Sequence, residues 1–245
     1  RINPMSRPTK ATIDLQALRD NFALAQSLAA DSQTMPMVKA NAYGHGMVEV
    51  ARALADIAPA FGVACIEEAL ELRDAGITQP ILLLEGTFSA DEVNTAALKG
   101  LWLMVENHPQ KEAVLNADIA QPVNVWLGVD TGMHRLGFPP SEALEVYQSL
   151  KDSRNVSDQM VVASHFACAE DFDNDFTDQQ LTTFGKAIEP MASDANNPLK
   201  VSLANSASIL GRADTHKDWN RPGYMIYGAS PFDQAQENAD KLKPV

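Results

Sequence analysis

The sequence predicts an α/β chain folded as one (β/α)8 barrel of the TIM type. Short β-branched or Leu-rich runs alternate with longer segments whose apolar residues recur at helical spacing. Eight such runs are found, each leading into a helical segment, and no Ser/Gly-rich linker divides the chain. A length of 245 residues suits one barrel or two smaller domains, and an open doubly wound sheet shares the same alternation. No G-x-G-x-x-G follows the first strand, which disfavours the dinucleotide-binding form of that sheet.

In chain order, residues 1–4 ahead of Met5 read as a vector-derived remnant before a natural start. Asp14 is placed to cap a first helix whose Leu15, Leu18, Phe22, Ala25 and Ala29 share a stripe. The first strand is expected over residues 35–41. A turn holding Tyr43, Gly44, His45 and Gly46 then leads to a helix with Met47, Val50, Ala51, Leu54 and Ala55 on one face. Further strands are expected over 60–66, 80–86, 101–106, 123–130, 160–165, 201–205 and 224–227, with helices over 67–75, 90–98, 110–117, 141–150 and 178–191. The barrel domain accordingly spans 5–232, and the polar segment 233–245 is a tail or the start of a linker to a further domain.

Lys and Arg number 19 against 32 Asp and Glu, a net charge of −13 with no basic block. Nucleic acid is therefore not an expected partner, since its affinity depends on neutralising phosphates. No apolar run approaches membrane-spanning length and no charged-then-apolar leader opens the chain, so a cytoplasmic protein without a membrane partner is expected. Cys65 and Cys168 each lie in an apolar strand-like run and are expected to be buried free thiols, with neither disulfide nor metal site.

Reactive groups of a barrel gather at the C-terminal ends of its strands. Those ends are rich here: Lys39 interrupts an apolar run, Arg135 follows Asp130-Thr131-Gly132-Met133, and His165 ends Val161-Val162-Ala163. Asn205-Ser206 ends the next run, and Arg221-Pro222-Gly223 opens the last. Most lysines near strand ends simply reach water. Strand alternation, however, points Lys39 away from the side of Val38 and Ala40, where an ammonium facing a barrel interior is costly unless it is neutralised or forms an imine. Schiff-base chemistry meets that demand.

The run Val38-Lys39-Ala40-Asn41-Ala42-Tyr43-Gly44-His45-Gly46 resembles the pyridoxal-phosphate attachment signature of alanine racemases. Asp130-Thr131-Gly132-Met133-His134-Arg135-Leu136-Gly137, Ser164-His165-Phe166-Ala167, Ala204-Asn205-Ser206-Ala207 and Arg221-Pro222-Gly223 through Tyr227-Gly228 resemble the same family in the same order. The resemblance runs from Arg7 to Phe232 and implies a fold-type III pyridoxal-phosphate barrel. It implies a cytoplasmic isomerase that interconverts L- and D-alanine, supplying D-alanine for peptidoglycan.

Residue by residue, the resemblance implies that Lys39 carries pyridoxal 5'-phosphate as a Schiff base. Tyr43, Ser206 and the backbone amides around Gly223 and Tyr224 would hold its phosphate, with Asn205 beside them. Hydroxyls and free amides on tight turns suit an anion without a large positive surface. Arg221 would face the pyridine nitrogen and, remaining protonated, donate without giving up a proton, leaving the cofactor a weaker electron sink. His165 would lie near the ring, although a histidine after an apolar strand is often structural. Arg135 would contact the phenolic oxygen and the substrate carboxylate, a task that suits its fork of donors. Asp130 is either its orienting partner or a turn residue.

Two departures from the family pattern stand out. Gly128 occupies a position where many members carry a lysine, often modified by carbon dioxide, whose charge positions the arginine. Either another anion, such as chloride, supports Arg135, or that arginine is looser; an engineered change is a further alternative. The family also continues into a β-rich domain whose tyrosine, reaching the partner subunit of a head-to-tail homodimer, is the second base beside Lys39. Tyr43, Tyr147, Tyr224 and Tyr227 do not match its motif, so these 245 residues are expected to bind cofactor and racemise poorly. The alternatives are a non-enzymatic pyridoxal-phosphate homeostasis protein and another fold-type III enzyme, such as a decarboxylase or a broad-specificity amino-acid racemase.

Overall fold

The computed structural model describes residues 9–192 and 198–245. Residues 1–4, read as a remnant, lie outside the described residues, as does Met5. The element order is α1 (Leu15–Leu28), β1 (Gln33–Thr34), α2 (Lys39–Tyr43), α3 (Met47–Leu54), β2 (Phe61–Val63), α4 (Ile66–Asp74), β3 (Ile81–Leu83), α5 (Asp91–Lys99) and β4 (Leu101–Val105). It continues with α6 (His108–Asn116), β5 (Asn124–Gly128), α7 (Ala143–Lys151), β6 (Val161–Ala163), α8 (Phe176–Ile188), β7 (Lys200–Ser202), α9 (Ser206–Gly211) and β8 (Trp219–Asn220).

All strand pairs are parallel, in the order β1-β8-β7-β6-β5-β4-β3-β2. A parallel bridge between Met37 and Gly62 joins the two ends, with Val38 N–H donating to Gly62 O at 2.8 Å. The sheet therefore closes, which periodicity alone does not reveal. Alternation then sorts the side chains into two shells. Met35, Met37, Ala60, Leu82, Met104, Trp126, Val161 and Ala163 pack inside the barrel. A larger cluster, including Leu18, Phe22, Val50, Phe61, Leu83, Val125, Val162 and Val201, lies between strands and helices.

All three tryptophans of the chain fill the N-terminal end of the barrel. Trp126 and Trp219 lie 5.7 Å apart between ring centroids, and Trp102 meets Trp219 edge-on at 5.6 Å. Such pairs favour offset or perpendicular rings over a flat sandwich. The polar strand ends surround a cavity at the other end.

Helix α1 starts where expected: Asp14 accepts from Gln16 and Ala17 N–H at 2.9 and 3.0 Å. Three expectations need correction. The first strand is Gln33–Thr34, ahead of the expected residues 35–41. Its ladder continues through Met35 N–H to Asn220 O and Met37 N–H to Pro222 O, each 2.9 Å, but the chain then turns left-handed, with φ of 51–54° from Ala40 to Tyr43. The last strand is β8, Trp219–Asn220, while residues 224–227 form a 3-10 turn, because a short apolar run is compatible with either state. Cys65 and Cys168 are free but only half-buried, the first capping α4 and the second in the loop after β6, rather than in strands.

Segment 233–245 packs back onto the barrel. Asn21 Nδ2 donates to Lys243 O at 2.8 Å, Lys243 N–H returns a bond to Asn21 Oδ1 at 2.8 Å, and Leu242 and Val245 rest on the outer cluster. Among the described residues, no helix is long and apolar enough to cross a membrane.

Candidate active site

A cavity of about 740 Å3 opens at the C-terminal ends of the strands. Lys39, Tyr43, Arg135, His165, Asn205, Ser206, Arg221, Gly223 and Tyr224 all line it. Residues from five strand ends, scattered across nearly two hundred positions of sequence, are thus brought to one place by barrel closure.

Lys39 enters from the turn after β1. Met35 and Met37 face the interior, and Lys39 continues that odd-numbered face at the point where the chain leaves the ladder. Its side chain is half-buried, and among the described residues no hydrogen bond or ion pair engages its amine. The four left-handed residues that follow carry a cost of about 1–2 kcal/mol each for L-amino acids, and specific bonds oppose it. Glu68 accepts from Ala40 N–H at 2.7 Å with one oxygen and from Ala64 N–H at 2.8 Å with the other. Asn41 Oδ1 accepts from Met47 N–H at 2.9 Å, joining the turn to α3. Tyr227 donates its hydroxyl to Met37 O at 2.8 Å, fixing the strand end before Lys39.

A second group forms an anion-sized cradle. Ser206 Oγ accepts from Gly223 N–H at 3.0 Å and Met225 N–H at 3.2 Å, which ties the start of α9 to the turn after β8. A Cβ on Gly223 would lie 2.5 Å from the Tyr43 hydroxyl oxygen, so the absence of a side chain lets the tyrosine approach that backbone. The Tyr43 ring lies tilted against that of Tyr227, centroids 4.9 Å apart, and burial raises its pKa, so its hydroxyl remains a donor at neutral pH. Tyr224 is half exposed at the rim. Asn205 is the N-cap of α9: its Oδ1 accepts from Ser208 N–H and Oγ, each at 3.1 Å, and only its amide nitrogen is left for a ligand.

Arg221 crosses the cavity floor at 6% exposure. It donates to Ser202 Oγ and to Ser164 O, the latter at 2.6 Å. Burial lowers its pKa to about 10, an effect Glu106 opposes, so it is a cation at neutral pH. Its Nη2 also stands 3.5 Å from His165 Nδ1, at the outer limit of a hydrogen bond. Burial first, then the charges of Arg221, Arg135 and Lys39, lower the His165 pKa to about 3. The imidazole is therefore neutral, with Nδ1 facing a donor and its proton assigned to Nε2. Gln180 secures this loop, donating to Thr131 Oγ1 at 3.1 Å and His165 O at 3.0 Å.

Arg135 is exposed, and among the described residues no hydrogen bond or ion pair holds its guanidinium. Asp130 does not orient it. Oδ1 accepts from Gly132 N–H at 2.9 Å and His134 N–H at 3.0 Å, and Oδ2 meets His134 Nδ1 at 2.9 Å. Burial opposes ionisation, but these bonds outweigh it and hold the carboxyl below its usual range. Asp130 is thus the turn residue of the two alternatives. Among the described residues, no three His, Cys, Asp or Glu are grouped to hold a metal ion.

Sequence reasoning passed over Ser202, Ser164, Tyr227, Glu68 and Glu106. Ser202 was accessible through period-two alternation of Lys200-Val201-Ser202, and Glu106 ends an expected strand as His165 does. Glu68 and Tyr227 act through contacts that no local pattern encodes.

A family model described as alanine racemase, N-terminal domain, matches residues 13–231. The catabolic alanine racemase of Pseudomonas aeruginosa is 45% identical over 239 residues, covering 98% of this chain and 65% of that protein. The alanine racemase of Pseudomonas taetrolens is 46% identical over the same shares. Among solved structures, the biosynthetic alanine racemase of Pseudomonas aeruginosa superposes with a TM-score of 0.87 at 43% identity, covering 95% of this chain and 63% of that one. The chain thus spans about two thirds of the length of these relatives. With the family model covering all but the two ends of the chain and its strand-end residues gathered in one cavity, the chain belongs to the alanine racemase family.

Proposed function

We propose that this barrel binds pyridoxal 5'-phosphate through Lys39 and serves the interconversion of L- and D-alanine, the step that provides D-alanine for peptidoglycan in the cytoplasm. The observation that carries the reading is the convergence of an unengaged lysine amine, a buried arginine and a hydroxyl-and-amide cradle on one cavity. The cradle fits a phosphate: Ser206 and Tyr43 offer hydroxyls, and the Gly223–Tyr224 backbone approaches without a side chain between.

When bound, the cofactor supplies a conjugated ring that withdraws electrons from the substrate α-carbon. Lys39 would hold it and would take or return the substrate α-proton at Nζ. Arg221 offers a donor to the ring nitrogen while retaining its own proton. Neutral His165 lies beside Arg221 and keeps a second positive charge out of the floor. Arg135 directs its fork to the substrate carboxylate. A racemase needs a second base on the opposite face; Lys39 supplies one, and neither Tyr43 nor Tyr224 is assigned that role. The whole enzyme acts as a homodimer on this reading, with alanine as its small-molecule substrate.

The experiment is cofactor titration of the 245-residue chain, followed by separate incubation with L-alanine and with D-alanine in deuterated water. The expected result is a near-visible absorbance band absent from a Lys39→Ala variant, with α-deuterium entering one alanine enantiomer faster than its mirror image accumulates. No band would sink the cofactor assignment. Racemisation as fast as isotope exchange would sink the assignment of a single base to these residues.

A further inference from the structure

Gly128 ends β5 beside Glu106, the residue that follows β4. A Cβ built on Gly128 would lie 2.8 Å from Glu106 Cγ and 3.1 Å from Oε1. The backbone of Gly128 is not left-handed, so the neighbour and not the turn demands a glycine. The Glu106 side chain thus occupies space that exists only because residue 128 has no side chain.

Glu106 Oε2 is buried and has no hydrogen-bond partner among the described residues. A desolvated carboxylate oxygen without a donor is costly, and the nearest remedy is a donor from the cavity. Burial raises the Glu106 pKa to about 7, against the pull of Arg135, then Arg221; Glu85 adds to the rise and Lys39 opposes it. These are the charged groups around it: Arg135 from the loop after β5, Arg221 after β8, Glu85 after β3 and Lys39 after β1. Arg221 already donates to Ser202 and Ser164. Arg135 lines the same cavity as Glu106 and Gly128, acts first among the cations on Glu106, and has no hydrogen bond or ion pair among the described residues, so a turn of its side chain is free to bring it to the carboxylate.

We propose that Glu106, reaching through the gap left by Gly128, is the positioning residue for Arg135, accepting from its guanidinium and holding the fork toward the cavity. The role of Arg135 toward a carboxylate rests on the function proposed above; the link between Glu106 and Arg135 does not. Only the ionised carboxylate holds the arginine, so the restraint strengthens as pH rises through neutrality.

Two measurements on the cofactor-free chain test it. The Glu106 carboxyl is titrated by carbon-detected NMR, its resonance assigned by its loss in Glu106→Gln. Arg135→Gln, a change at an exposed side chain, is expected to move the midpoint upward by about one unit, on the order of ten-fold in acidity, with Arg135→Lys recovering part of it. An unmoved midpoint overturns the proposal. Exchange protection of the Arg135 Nε–H, taken relative to Glu106→Gln, is expected to grow across neutrality and to be restored by Glu106→Asp. Equal exchange in the native chain and Glu106→Gln overturns it as well. A chain that passes both tests yet retains no cofactor on Lys39 contradicts the proposed function alone, and one that fails both yet retains cofactor contradicts only this proposal.

Discussion

Arg221 Nη2 faces His165 Nδ1 at 3.5 Å, and this pairing of a buried cation with a neutral imidazole sets the electrostatics of the cavity floor. Its consequence is acid lability. The folded-state pKa of His165 is about 3, below the ordinary value of 6.5, so the unfolded chain binds the extra proton first. Stability from this group is intact above pH 6.5, falls as pH drops from there, and levels off below about 3. The slope approaches about 1.4 kcal/mol per pH unit. Urea unfolding of His165→Gln against the native chain is expected to give curves that converge as the medium is acidified; parallel curves would remove the charge-based account.

Ser206 is the shared acceptor of two backbone donors. Ser206→Ala leaves Gly223 and Met225 N–H groups unsatisfied at a buried site, a loss of about 1–3 kcal/mol. The urea midpoint is expected to fall accordingly. Affinity for pyridoxal phosphate is expected to fall on the order of ten-fold, about 1.4 kcal/mol, while affinity for unphosphorylated pyridoxal is retained. Equal losses for both ligands would place the serine away from the phosphate.

Gly223 lies directly against Tyr43, so Gly223→Ala introduces a contact with it. The new Cβ meets the Tyr43 hydroxyl oxygen at 2.5 Å and Cζ at 3.1 Å. In a double-mutant cycle with Tyr43→Ala, the cost of Gly223→Ala to cofactor affinity is expected to shrink by at least about 1 kcal/mol. Strict additivity would show that the two positions do not meet.

The architecture was legible in the sequence because barrel strands buried on both faces read as short continuous apolar runs. Six of the eight runs overlap strands, the run at 35–41 follows β1 directly, and Asp14 marks the start of α1. The run at 224–227 misled because four apolar residues carry no period, and Gly223 with Ser206 turns that segment into a 3-10 turn. The turn after Lys39 was illegible for a different reason. Of the four left-handed residues only Asn41 is of a type that tolerates φ above 50° readily, Ala40, Ala42 and Tyr43 are not, and Glu68, twenty-eight residues from Ala40, supplies a restraint. Polar residues at strand ends located the cavity, whereas the acceptors of Arg221, Ser202 and Ser164, required its closure in three dimensions.

Glu68→Ala is therefore expected to loosen the turn that begins at Lys39. Two N–H groups lose their acceptor, for about 2–3 kcal/mol in all, and hydrogen exchange at Ala40 and Ala64 is expected to quicken far more than at strand β5. Unchanged exchange at both amides would mean the left-handed turn holds itself.

On the function proposed above, pyridoxal phosphate attaches at Lys39. Borohydride reduction of the cofactor-loaded chain, followed by peptide mass mapping, tests it most directly. A reduced pyridoxal-phosphate adduct on the peptide containing Lys39, absent without cofactor, is the predicted result. An adduct confined to other lysines, or none at all, would remove Lys39 as the anchor.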